Sequence, residues 1–215
     1  MKLYPRNKLP VREVRKFIII FYIVGILGFL IPFTRDVFIQ ITPLALLLAA
    51  YLLGIYHDNW NKKTVLGFAL IYLLGFSVEA VGVNTGLIFG HYSYGSGLSI
   101  KLFDTPLLIG LNWLFLVYTT LAIVDMLKIK GILSILLAPL LMLAYDLVLE
   151  VVAPLMDMWS WEDNTVPLRN YIAWYLLAFL FTGLLKALKI RTKNPLALVL
   201  FACQFVFFIF LAIFL

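Results

Sequence analysis

Three acidic residues lie in stretches that are otherwise hydrocarbon: Glu79 in LGFSVEAVGV, and Asp146 and Glu150 in LMLAYDLVLEVV. Placing an ionisable side chain in a membrane span costs several kcal/mol, so such groups face the interior of a helix bundle rather than lipid. A spacing of four puts Asp146 and Glu150 on one helix face. In hydrocarbon a carboxyl group favours its neutral form, which can deliver a proton, and a second carboxylate nearby can accept one. The chemistry this allows is acid–base chemistry. A plainer reading is that the three groups are hydrogen-bonded, or paired with Arg35 or Arg169, and only hold helices together. A fourth acidic residue, Asp125, precedes Lys128 by one turn, and a surface ion pair accounts for it.

Gly75, Glu79, Gly82 and Gly86 recur at steps of three and four, a spacing that lets a neighbouring helix approach closely, so Glu79 is expected on a packed face. After it comes NTGLIFGHYSYGSGL, a glycine-rich loop with Asn84, Thr85, His91, Tyr92 and Tyr94 that can fold back over a cavity. Tyrosine and tryptophan at a membrane boundary also serve simply as interfacial anchors. Several chemistries are excluded. The only histidines are His57 and His91, too few for an iron-binding histidine box. No lysine falls in the middle of a span, Lys186 standing at the end of the sixth, which removes a retinal Schiff base. There is no Walker loop, no Gly-x-Gly-x-x-Gly after a strand, no metal-ligand spacing and no cysteine paired with a base. No cofactor and no metal are expected.

The elements that position these residues are read from hydropathy and charge. Of 215 residues, 64% are apolar and 13% charged, against roughly 45–50% apolar in a soluble domain. The expected fold class is all-α: one integral-membrane domain over residues 1–215, with seven spans at about 17–33, 37–56, 64–83, 105–127, 132–155, 170–188 and 195–215. Pro106 is expected to open the fourth span, where a missing N–H is tolerated. Pro43 and Pro139 fall inside spans. The basic N-terminal tail leads to Pro32 without a small-residue cleavage site, so no cleaved signal is expected. The lone Cys203 has no internal disulfide partner. Fourteen lysines and arginines fall on the N-terminal side of the seven-span arrangement: Lys2, Arg6, Lys8, Arg12, Arg15, Lys16, Lys62, Lys63, Lys128, Lys130, Lys186, Lys189, Arg191 and Lys193. Only Arg35, Lys101 and Arg169 fall on the other. The net charge of +6 therefore reads as topology, with the N-terminus cytoplasmic and the C-terminus outside, and no nucleic acid is expected as a partner. At about 1.5 Å per residue Asp146 lies roughly 12 Å from the outer end of its span, and Glu150 and Glu79 roughly 6 Å from theirs.

The stretch EAVGVNTGLIFGHYSY, the later TPLLIGLNW, then AYDLVLE and WSW together resemble the membrane carotenoid biosynthesis proteins, over roughly residues 75–175. That family includes hydratases acting on γ-carotene, lycopene or bisanhydrobacterioruberin. The resemblance points to Glu79, Gly82, Gly86, Gly90, Tyr92, Tyr94, Pro106, Trp113, Asp146, Trp159 and Trp161. Many members carry Asp-Leu-Phe-Leu-Asp-Pro where this chain has Asp146-Leu-Val-Leu-Glu150-Val, so the second carboxylate is one methylene longer here. The resemblance implies a membrane-embedded carotenoid as substrate, a place in the prokaryotic cytoplasmic membrane, and association with other carotenoid-pathway enzymes.

Hydration of a terminal isoprene double bond needs a proton on one carbon, a tertiary cation held briefly, and water added to it. Asp146 is the expected general acid, with Glu79 and Glu150 supporting it or activating water. Tyr92, Tyr94, Trp113 and Tyr145 are expected to line the cavity or stabilise the cation, and Asn84, His91, Asn112, Trp159 and Trp161 to contact substrate. A cofactor-free carotenoid cyclase would protonate the same polyene but exclude water. A proton-coupled transporter would use the carboxylates as ion sites, and a structural partner in a pigment complex would use them for neither.

Overall fold

The computed structural model describes residues 8–215. Among them are seven α-helices: α1 (Val11–Leu30), α2 (Pro32–Tyr56), α3 (Lys62–Thr85), α4 (Leu108–Met126), α5 (Ile132–Val152), α6 (Leu168–Ala187) and α7 (Ala197–Phe214). Six of them, α2 to α7, are long and apolar enough to cross a membrane. The first is different. Arg12, Glu13, Arg15 and Lys16 occupy its first turns, and the uncharged run Phe17–Leu30 extends only about 21 Å at 1.5 Å per residue.

The expected first span, 17–33, is interrupted at Ile31, which is extended, and α2 begins directly at Pro32. A residue before proline is pushed out of the α region, so the break falls one residue before the ring. The C-terminal carbonyls of α1 are capped from α2: Thr34 donates to Gly28 O at 2.7 Å and Arg35 Nε to Phe29 O at 3.0 Å. Pro106 does not open the fourth span. It lies in a short hairpin, and α4 starts two residues later.

Consecutive helices alternate in direction, so the connections gather at two ends. At the N-terminal end, Tyr56 donates to Leu9 O, Arg15 Nη2 to Pro195 O, and Asn194 Nδ2 to Leu53 O. His57 lies at this end, buried against the Tyr118 hydroxyl at 2.8 Å. Twelve basic residues of the described chain cluster here, and Arg35, Lys101 and Arg169 lie at the other end; Lys2 and Arg6 lie outside the described residues. Asp125 pairs with Lys186 of α6 at 2.6 Å rather than with Lys128. Lys128 has turned away, with φ of 61° at the end of α4.

The bundle is centred on α4, whose span is 72% buried against 17% for α2. A helix apolar on all sides belongs in the middle. At the far end two loops carry short strands that the all-α expectation did not contain. β1 (Tyr92–Tyr94) pairs antiparallel with β4 (Trp159–Trp161), Tyr92 opposite Trp161 and Tyr94 opposite Trp159. β2 (Lys101–Leu102) and β3 (Thr105–Pro106) form a hairpin turning at Phe103 and Asp104, both with positive φ.

Candidate functional site

The β1–β4 ribbon is a lid over the end of the bundle. Side chains alternate across a strand, so Ser93 and Ser160 face out while Tyr92, Tyr94, Trp159 and Trp161 face in. Their rings meet across the ribbon at 5.1 Å (Tyr92–Trp161) and 6.1 Å (Tyr94–Trp159). Each inward pair takes one carboxyl group. The Tyr92 and Tyr94 hydroxyls both donate to Glu79 Oε2 at 2.7 Å. The indole N–H groups of Trp159 and Trp161 both donate to Glu150 Oε2, at 3.0 and 2.7 Å. Burial and the adjacent Glu79 carboxyl push the phenols of Tyr92 and Tyr94 above their ordinary range, so both remain protonated donors.

Below the lid the carboxyl groups are tied to the helices. Trp113 of α4 donates to Glu79 Oε1 at 2.9 Å. It can do so because α3 and α4 touch: a Cβ on Gly75 would lie 2.8 Å from Trp113. The indole of Trp113 also stacks on Trp174 of α6, centroids 4.3 Å apart. Gly75, Glu79 and Gly82 share the buried face of α3, as their spacing predicts. Gly86 does not extend that face; at φ of 65° it ends the helix. Asn170 of α6 bridges the α5 pair, its Nδ2 donating to Glu150 Oε1 at 3.0 Å and lying 3.4 Å from Asp146 Oδ2. Neither Arg35 nor Arg169 pairs with any of the three; among the described residues the ion pairs are Lys16–Glu13 and Lys186–Asp125.

The three carboxyl groups are therefore unlike one another. Glu79 and Glu150 each accept three hydrogen bonds, which suits an acceptor-only carboxylate. Asp146 is fully buried, has one long contact, and its Oδ1 has no partner. An orphaned carboxyl oxygen in an apolar interior is a poor place for a charge and a good one for an O–H.

Beside this cluster lies an apolar cavity of about 440 Å³ among α1, α2, α4, α5 and α7. Tyr145 and Leu149 line it, so α5 presents one face to the cavity and the adjacent face, with Asp146 and Glu150, to the cluster. Trp159 belongs to both: it lines the cavity and its N–H is on Glu150. Asn112 of α4 also lines the cavity. On the side of α1 and α2, Val24, Ile41 and Leu44 line the cavity and are exposed on the outside of the bundle, so it reaches the lipid-facing surface there.

Residues 37–215 match the model of a family described as carotenoid biosynthesis protein. The chain belongs to that family. No curated protein and no solved structure matches it. The matched residues hold all three carboxyl groups and the whole lid, and leave out α1. A role in carotenoid biosynthesis fits a cavity walled by hydrocarbon and open towards lipid.

The structure brings Glu79, Asp146, Glu150, Tyr92, Tyr94, Trp113, Trp159 and Trp161 into one cluster, and sets Tyr145, Asn112 and Trp159 around the cavity. Asn84 and His91 stand apart. Asn84 caps Ala80 O and Phe103 O at the surface, and His91 is exposed on the lid. A turn-forming amide and a ring packed over Gly86 account for them. Sequence reading missed Asn170, Trp174, Tyr22 and Gln204. For Gln204 a signal existed: it is the one amide in the apolar run FACQFVFF.

Proposed function

We propose that this carotenoid biosynthesis protein is a cofactor-independent hydratase that adds water to the terminal double bond of an acyclic carotenoid end group. The hydrocarbon substrate enters from the bilayer between α1 and α2 and places its end in the cavity. The Asp146 carboxyl lies behind the cavity wall, on the α5 face next to Tyr145, and must turn past it to reach the substrate. It delivers a proton to the CH carbon of the terminal double bond, leaving the cation on the dimethyl carbon. Water adds there and sheds a proton to Glu79 or Glu150. The Tyr145 and Trp159 faces line the path of the cation, a contact worth about 0.5–2 kcal/mol each. The observation that carries this reading is the contrast among the carboxyl groups: two have their oxygens filled by donors, and Asp146 keeps one oxygen with none.

All seven helices cross the membrane in this proposal, with the basic end cytoplasmic and the lid and C-terminus outside, in the cytoplasmic membrane of a prokaryotic cell. The basic residues at the start of α1 reach up to the headgroups and complete its short apolar run.

The test is expression in a lycopene-accumulating host, followed by chromatography and mass spectrometry of the pigments. Hydration adds the mass of water; a pigment altered without change of mass identifies a cyclase instead. Asp146→Asn is nearly isosteric and is expected to accumulate normally while losing hydration, because an amide cannot protonate an alkene. Wild-type hydration by Asp146→Asn would remove it as the acid.

A further inference from the structure

The cavity contains a chain of hydrogen bonds that the carboxyl chemistry leaves unused. The Tyr22 hydroxyl of α1 donates to Gln204 Oε1 of α7 at 3.0 Å, and Gln204 Nε2 donates to the Tyr145 hydroxyl of α5 at 2.6 Å. All three residues are buried and all three line the cavity. The chain has a direction. The amide carbonyl takes the proton of Tyr22 and the amide N–H fills a lone pair of Tyr145, so the hydrogen of Tyr145 is left to donate elsewhere. Its ring is surrounded by Phe201, Phe205 and Phe208, which offer it no acceptor. A donor left unfilled in hydrocarbon is costly, and an oxygen atom seated in the cavity removes that cost.

We infer that Tyr145, aimed by Gln204 and Tyr22, is the oxygen-binding group of the cavity, donating to the atom that becomes the tertiary hydroxyl: water before attack, alcohol after it. This rests on the hydratase reading. Asp146 follows Tyr145 on α5, about 100° further round the helix, so proton and water reach the double bond from adjacent faces of one element. The step balances. The alkene electron pair takes the proton of Asp146 and forms the new C–H bond, and a water lone pair forms the C–O bond at the cation. The proton lost by that oxygen returns to the carboxyl cluster, and the net change is one water added. Gln204 and Tyr22 are positioning residues, because they act through Tyr145.

Membranes containing lycopene and each variant, incubated in deuterated water, give two readouts: hydroxylated pigment, and deuterium in the recovered lycopene. Protonation followed by proton loss labels the substrate without hydrating it. Tyr145→Phe is expected to lower hydration about 10-fold or more while labelling persists, because the cation still forms and lacks its water. Tyr22→Phe lowers the ratio of hydration to labelling less, and Asp146→Asn loses both readouts. Should Tyr145→Phe fail to accumulate, the ratio in Gln204→Met decides in its place. An unchanged ratio in Tyr145→Phe, loss of both readouts in that variant when it is folded, or a larger effect from Tyr22→Phe overturns the inference alone. A wild-type protein that neither hydrates nor labels lycopene overturns the hydratase reading, and this inference with it.

Discussion

Replacing each lid-bound glutamate by glutamine separates two sites that look alike. In Glu79→Gln the new amide has one oxygen and one NH2. If the oxygen keeps the hydroxyls of Tyr92 and Tyr94, the NH2 faces the indole N–H of Trp113, which sits 2.9 Å from Oε1. Turning the amide over satisfies Trp113, and the NH2 then faces two phenols that must reverse their own bonds. An indole can only donate, and in the turned amide the phenol hydrogens lose their acceptor, so every arrangement leaves at least one buried donor unmade. In Glu150→Gln the oxygen keeps Trp159 and Trp161, and the NH2 faces Asn170, whose amide can rotate to present its own oxygen. Both changes remove one buried carboxyl, so that part cancels in the comparison. The difference is one buried donor left unmade, about 1–3 kcal/mol. For a chain of this size that is a melting temperature lower by roughly 2–12 °C in Glu79→Gln than in Glu150→Gln. Thermal melts of the detergent-solubilised protein measure it. Adding Trp113→Phe should cost less in the Glu79→Gln background than in wild type, because the orphaned donor is gone. Equal melting temperatures, or a lower one for Glu150→Gln, would show that Glu79 is not held as a three-bond acceptor.

The Gly75 contact gives a second expectation: Gly75→Ala pushes a methyl group against Trp113 and destabilises by about 1–3 kcal/mol, and wild-type melting would show that α3 moves aside freely. For topology, single cysteines at positions 96 and 164 in a Cys203→Ser background should label in intact cells; labelling only after the membrane is opened reverses the orientation. At the lid, the Ser96 hydroxyl and amide hold the Asp157 carboxyl below its ordinary range. A depressed folded value means that this clamp contributes above the unfolded value, about 3.9, and is lost as pH falls through the folded one. Amide exchange at residues 95–97 should accelerate in that acid window, and exchange that stays flat across it would refute the clamp.

The parts of the site legible in the sequence were those written in short-range pattern. Glu79 announced itself as a charge in hydrocarbon flanked by small residues, and Asp146 and Glu150 as a pair at helical spacing. What could not be read was partnership across distant segments. Tyr92-x-Tyr94 and Trp159-x-Trp161 have strand periodicity over only three residues each, too short to distinguish from interfacial anchors. That they form one ribbon depends on the loops after α3 and α5 meeting. Pro106 was misplaced because a proline suits the first turn of a helix and the edge of a hairpin equally well. Asn170 was hidden at the entry to a span, where a polar residue is unremarked, and its role appears only with α5 against α6.

In the proposed hydration, the division of labour among the carboxyl groups follows from what a tertiary cation requires. Bulk water must be kept out, yet one water must reach it. A lid held only by apolar contacts would have little to fix its position above a lipid-filled end. This one is fixed by four donors on two carboxyl oxygens, Glu79 Oε2 and Glu150 Oε2. With Trp113 and Asn170 added, Glu79 and Glu150 each accept three hydrogen bonds. A carboxylate has about four acceptor sites, and each of these uses three, so under the proposal each keeps one for the proton shed by the attacking water. Asp146, one turn of α5 below Glu150 and bound weakly by Asn170, is left as the group whose proton is not already committed. Trp159 then fixes where the two halves meet: its N–H belongs to the lid, and its ring belongs to the cavity wall. A substitution at Trp159 therefore reaches both at once, removing a lid bond to Glu150 and a part of the cavity wall.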